Sequence, residues 1–159
     1  MAAAHYIVPT LPMGRTTTAR LGAGNTANDR FADVDAGKTV KLVGESRYGL
    51  TAAGDPIEGF VVDVSTATSG GYSIGTVVHD QKVFVTADGL QATPGTGAIA
   101  VGDYVVAGTA TAKGTALAAF AKVCKATSQT PAYPFAWRVV SLGQVGTGAV
   151  GTTIVIERV

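Results

Sequence analysis

The chain reads as an all-β protein: a compact β-barrel or β-sandwich of short antiparallel strands, with an extended N-terminal arm. Three observations predict this. Val and Thr each supply 21 of the 159 residues, while Leu supplies 7. Side chains branched at Cβ are stiff at χ1 and suit a pleated surface better than a helix. Gly also supplies 21 residues, about twice its usual share, and it sits in turn signals between the Val-rich runs. Those runs recur every ~8–12 residues, the spacing of a sandwich or barrel. The length is about that of one domain, and such a domain buries roughly two thirds of its unfolded surface.

Residues 1–37 read as the arm. Pro9, Pro12, Gly22-Ala23-Gly24-Asn25 and Asn28-Asp29 punctuate it, Thr16-Thr17-Thr18 adds polar β-branched residues, and no helical period is sustained. A short strand is expected at Tyr6–Val8. An arm needs a surface to lie on, because alone it buries too little to offset its chain entropy. Residues 38–159 read as one β domain. Strands are expected over Lys38–Val43, Phe60–Val64, Tyr72–Val78, Lys82–Thr86, Tyr104–Ala107, Trp137–Leu142 and Thr152–Val159. Turn signals separate them, among them Ala53-Gly54-Asp55-Pro56, Ser69-Gly70-Gly71 and Asp88-Gly89. The segment 114–124 fits a short helix or a buried strand equally well, since Ala116–Ala121 is apolar and rich in helix formers. Residues 125–134 read as a loop.

One internal echo runs from Pro56-Ile-Glu-Gly-Phe-Val-Val-Asp-Val64 to Pro134-Phe-Ala-Trp-Arg-Val-Val-Ser-Leu142. It fits a pseudo-repeat of a β-hairpin. Nine positions are few, however, and the expectation is chance convergence of two strand-like segments.

Composition excludes several classes. Charged residues are 14% of the chain and the net charge is +1. The basic residues are scattered, so nucleic acid and anionic membrane are not expected partners. The single Cys124 allows neither an intrachain disulfide nor a Cys-rich zinc site. No apolar run approaches the ~20 residues that span a bilayer. The first residues lack the basic and apolar regions of a signal peptide. A soluble protein made in the cytoplasm is expected.

The chemical motifs mostly dissolve on inspection. Ala32–Thr39 fits a relaxed phosphate-loop pattern, but it lacks the leading Gly and a strand follows it where a helix is needed. Gly146-Thr-Gly148-Ala-Val-Gly151 spells a dinucleotide fingerprint, but only eight residues follow and they read as a strand. His5 and His79 are the only histidines. His79-Asp80 with Cys124 or a serine would supply a nucleophile and a base, yet the stretch reads as a polar turn. Lys125 beside Cys124 would lower its pKa if the thiol were exposed, but a lone Cys in an apolar segment more often packs in a core. Asp29, Asp33 and Asp35 do not follow the spacing of a calcium loop. No catalytic residue, metal or cofactor is expected. Tyr133, Phe135 and Trp137 concentrate the large apolar area. They read first as core packing under a loop and second as an interface anchor. With Tyr6, Ile7 and Val8 they are the candidate interface residues.

The runs Gly59-Phe-Val-Val, Gly75-Thr-Val-Val, Val83-Phe-Val and Gly102-Asp-Tyr-Val-Val-Ala-Gly108, with a later Gly114, resemble the head decoration (cement) proteins of tailed bacteriophages. The resemblance covers roughly residues 38–159 and rests on glycine turns and valine strands. The arm and the segment 115–134 depart from it. It implies a virion protein on the capsid exterior that binds the major capsid protein and stabilises the expanded head. It also implies a homo-oligomer, with a trimer as the first expectation. Two other classes remain: an adhesive β module that binds carbohydrate or a host protein through Tyr133, Phe135 and Trp137, and a small hydrolase using Cys124 or His79. Another minor virion component is a further alternative.

Overall fold

The computed structural model describes residues 15–22, 29–66, 72–130 and 136–159. Among the described residues eleven strands run in chain order: β1 Thr16–Leu21, β2 Thr39–Gly44, β3 Arg47–Leu50, β4 Gly59–Ser65, β5 Ser73–Val78, β6 Val83–Leu90, β7 Thr93–Pro94, β8 Tyr104–Ala107, β9 Lys122–Lys125, β10 Trp137–Ser141 and β11 Thr153–Arg158. One 3-10 turn, Asp33–Asp35, precedes β2. The protein is all-β, as the composition predicts.

The strands form two barrels. β1-β3-β2-β4-β5 closes into the first. The second sheet runs β11-β10-β8-β9-β6-β7, and a β11–β6 pairing closes five of its strands into a ring, with β7 left as a hairpin on β6. Closure removes the exposed strand edges on which another chain would otherwise pair.

The two rings are wired identically. In each, the first strand lies parallel to the third (β1–β3, β6–β9) and antiparallel to the fifth (β1–β5, β6–β11). The second is antiparallel to the third and fourth (β2–β3 and β2–β4, β8–β9 and β8–β10), and the fourth pairs with the fifth (β4–β5, β10–β11). Even the irregularity repeats. β4 pairs Val61 with Val77 and Asp63 with Thr76, skipping a residue; β10 pairs Val139 with Ile156 and Ser141 with Val155, skipping the equivalent one. Gly37, at φ 89, donates its N–H to Val61 O at 2.7 Å, and Gly102, at φ 90, donates to Val139 O at 2.9 Å. Both glycines hold the left-handed backbone that side chains resist. The echo between residues 56–64 and 134–142 therefore marks a duplicated barrel: β4 and β10 fill the same place in the two rings. Chance convergence is not the account.

β1 was not expected. Residues 16–21 fall inside the span read as an arm, yet they pair along their length with β5 and complete the first barrel. Phe31 of the same span is 2% exposed in the core with Leu21, Val40, Val61 and Val77. The Thr-rich start misleads because Thr16, Thr17 and Thr18 are exposed, so only Ala19 and Leu21 carry the buried alternation. The proposed strand Tyr6–Val8 lies outside the described residues.

The segment 114–124 resolves as neither simple option. Leu117 and Phe120 pack half-buried in irregular backbone, with the Phe120 ring 5.8 Å from Phe84. The strand proper is β9. A run of six apolar residues is too short to sustain a helix by propensity, and β9 gains ladder bonds on both sides, from β6 and β8. Asp88-Gly89, read as a turn, lies within β6, where a shift in the β6–β9 pairing absorbs it.

The larger core fills the second barrel and crosses into the first. Val83, Val85, Val105, Val123, Val139, Ile154 and Ile156 line it at the two-residue period of strands, and Ile57, Phe60 and Val78 join it from the first barrel.

Candidate interaction surfaces

The seam between the barrels is built from the β3–β4 connection. Gly54 N–H donates to Ala107 O at 2.7 Å, and Ala107 N–H donates to Asp55 O at 3.0 Å. Next to this pair, the Trp137 indole Nε1 donates to Ile57 O at 2.9 Å, and its ring meets Phe60 edge-on at 5.1 Å. Trp137 is 1% exposed. It anchors one barrel to the other and offers no platform to an outside ligand. Of the other candidate interface residues, Tyr6, Ile7, Val8, Tyr133 and Phe135 lie outside the described residues.

A buried ion pair ties the seam at its other side. The Lys38 Nζ donates to Asp35 Oδ1 at 2.6 Å and to Ala112 O at 2.6 Å. Asp35 also accepts the N–H groups of Ala32 and Gly114, both at 2.7 Å. Both side chains are nearly fully buried, so each needs the other: an unpaired charge here would be costly. This arrangement explains Ala32–Thr39. The lysine that a phosphate loop would aim at a ligand is held by Asp35. Asp35 is fully buried on Lys38, and among the described residues no three His, Cys, Asp or Glu side chains converge as metal ligands.

His79 is a bridge. It is 4% exposed, with Nδ1 against Glu58 O at 2.9 Å and Nε2 against the Thr17 hydroxyl at 3.1 Å. Asp80 does not orient the imidazole; it accepts the Arg15 backbone N–H. Arg158 Nη1 donates to His79 O at 3.2 Å, and these groups line a polar cleft with Tyr48. Burial pushes the Tyr48 hydroxyl pKa up, with the Glu58 charge adding to it. Burial lowers that of Arg158, with the Arg15 charge adding to it. The cleft balances arginines with Glu58 and Asp80.

Cys124 is 1% exposed. Burial, then the Asp88 charge and a hydrogen bond to it, raise its pKa to about 11, outweighing Lys122. A nucleophilic thiol needs the opposite shift. The cysteine is the core residue expected of a lone Cys in an apolar segment, and Lys125 pairs with Asp103 at 3.0 Å. Gly146–Gly151 forms the β10–β11 connection. Gly148 O accepts the Ile99 N–H at 2.9 Å, and a Cβ on Gly148 would collide with Ile99 O. The glycine is there for backbone contact within the chain.

Three exposed apolar side chains sit together on loops. Val101, Val145 and Val150 are 59%, 68% and 41% exposed, and the contact between Gly148 and Ile99 gathers their two loops at one end of the second barrel. An apolar cavity beside the β3–β4 connection is lined by Ile57, Val105 and Trp137. Among the described residues, no helix is long and apolar enough to cross a membrane. No protein-family model matches the chain, and neither a curated protein nor a solved structure matches it.

Proposed function

We propose that this chain is a structural virion protein that binds the outer surface of a phage capsid, as a homo-oligomer, and stabilises the expanded head. The observation that carries the reading is the exposed valine tip at Val101, Val145 and Val150 on a closed, low-charge barrel pair. Large apolar side chains gathered at one end of a rigid scaffold suit contact with another protein surface. The polar groups that sequence reading offered for chemistry are turned inward: Asp35 on Lys38, His79 on Thr17 and Glu58, Cys124 on Asp88. The glycine-turn and valine-strand resemblance to head decoration proteins supplies the partner, the major capsid protein. A ligand that binds only the assembled shell stabilises it by mass action, and an oligomer touching several subunits gains through effective concentration. The adhesive reading loses its central aromatic, because Trp137 is buried in the seam.

Co-sedimentation with expanded, undecorated phage heads tests this. Saturable binding at a fixed ratio per shell, with heads that survive heat better, is expected. Replacing Val145 and Val150 with Asp should abolish that binding while the protein stays folded. Absence of binding by the unaltered chain would overturn the proposal.

A further inference from the structure

The two barrels also meet where their fifth strands end, and a polar cleft opens there. Val61 pairs with Val77 in the first barrel as Val139 pairs with Ile156 in the second. Two residues beyond those pairs, His79 after β5 and Arg158 at the end of β11 hold equivalent places. They touch: Arg158 Nη1 donates to His79 O at 3.2 Å. The cleft at this contact has a volume of about 260 Å³, and every residue that lines it is polar: Arg15, Thr17, Tyr48, Glu58, His79 and Arg158. Ligand sites favour such junctions between folded units.

Glu58 O and the Thr17 hydroxyl hold both ring nitrogens of His79, so the imidazole is a wall. Three other side chains differ. Among the described residues, no hydrogen bond or ion pair within the chain engages the Arg15 guanidinium, the Tyr48 hydroxyl or the Glu58 carboxylate. Opposite charges elsewhere close on each other, as Lys41 does on Asp55 at 2.6 Å. Arg15 and Glu58 line one cleft and stay apart. The Arg158 pKa falls through burial and then through the Arg15 charge, as expected of two guanidinium groups that share one space. The Tyr48 pKa rises through burial and then through the Glu58 charge, so its hydroxyl keeps its proton and can donate.

We propose that this cleft binds a free α-amino acid with a polar side chain. The ligand carboxylate lies on Arg15 and Arg158, and its ammonium group on Glu58. Bonds between guanidinium and carboxylate are charge-assisted and among the strongest a site can offer. A simple anion would face Glu58 and a simple cation would face two arginines, so a ligand carrying both charges fits the lining best. The site goes beyond the capsid reading and does not depend on it.

Calorimetric titration and amide NMR of the full chain test it, with the standard amino acids at millimolar concentration and L-glutamine as the first probe. Saturable binding is expected, with shifts at Thr17, Tyr48 and His79. Acetate and methylammonium each carry one of the two charges and should bind at least tenfold more weakly. Glu58→Gln and Arg15→Gln should each weaken binding at least tenfold, about the worth of one charge-assisted hydrogen bond. Their circular dichroism should match that of the unaltered chain, since neither side chain is bonded within it. Acetate binding as tightly as the amino acid, or binding strengthened by Glu58→Gln, would overturn the assignment and leave an anion site. No shift at the cleft with any standard amino acid, or binding that ignores both variants, would overturn the site itself. If a variant does not fold, the acetate and methylammonium comparison on the unaltered chain decides.

Discussion

The first barrel encloses Leu21, Phe31, Val40, Val61 and Val77. The second encloses a larger set and borrows Ile57, Phe60 and Val78 from its neighbour. At equivalent register positions the side chains differ widely: Gly59 in β4 stands where Trp137 stands in β10, and Gly49 in β3 where Cys124 stands in β9. Yet every pairing, and the bulge between fourth and fifth strands, is retained. Register is thus carried by alternation, the bulge and the turn glycines, while core volume adapts to what each barrel must touch.

The largest test of this comparison is Trp137→Ala. It removes the seam anchor at a cost of about 3–5 kcal/mol by the usual cavity penalty, and it strands the Ile57 carbonyl. Denaturant unfolding should show the drop. At the equivalent position the requirement is reversed: Gly59→Ala should destabilise because its Cβ would meet Val77 Cγ1 at 2.5 Å and Val78 O at 2.6 Å.

Lys38→Met is expected to cost nearly as much, about 3–5 kcal/mol, because Asp35 is left charged and buried. Its register equivalent is Asp103, whose bond to Lys125 is part-exposed. Asp103→Ala should cost only about 1 kcal/mol, chiefly through the lost cap on the Ala100 N–H. A smaller effect appears with pH. The Cys124 thiol is raised to about 11 from 9.0, so the folded state holds its proton where the unfolded state releases it. Its contribution is full below pH ~9 and is lost as pH rises toward 11, about 1–3 kcal/mol in all. Cys124→Ala should flatten that part of the stability curve, and the native thiol should react with a disulfide reagent at pH 8 only after unfolding. The last pair is Gly37→Ala and Gly102→Ala, each costing about 1 kcal/mol for a left-handed residue. Their near-equality, read by thermal melts, would sharpen the case that the two turns are one turn used twice; a clear inequality would break it.

Much of the fold was legible. Phe60–Val64, Tyr72–Val78 and Tyr104–Ala107 are Val-rich runs set between turn signals, and β4, β5 and β8 follow them closely. β1 was not legible, because its exposed threonines hide a strand whose buried face is only Ala19 and Leu21. β3 and β9 are four residues each, too short to display a period. The duplication was half-visible. The echo at 56–64 and 134–142 is a local pattern, whereas the matching strand wiring arises from long-range pairing that a local pattern does not encode. The site residues fared in a similar way. Trp137 reads first as core packing and lies in the core, yet only the fold reveals that its partners are Ile57 and Phe60 of the other barrel.

The duplication also bears on how the chain folds as it is made. All pairings of the first barrel fall between Thr16 and Val78, so that ring can close before any of β6–β11 exists. On closing, it holds Ile57 and Phe60 uncovered, and Asp35 lacks the Gly114 N–H that completes its bonds. The emerging second half meets a finished template, and docking seals both the apolar seam and the ion pair. Until then, the half-made chain exposes the surface through which it could capture the second barrel of a neighbour on the same messenger, an exchange to which duplicated domains are prone.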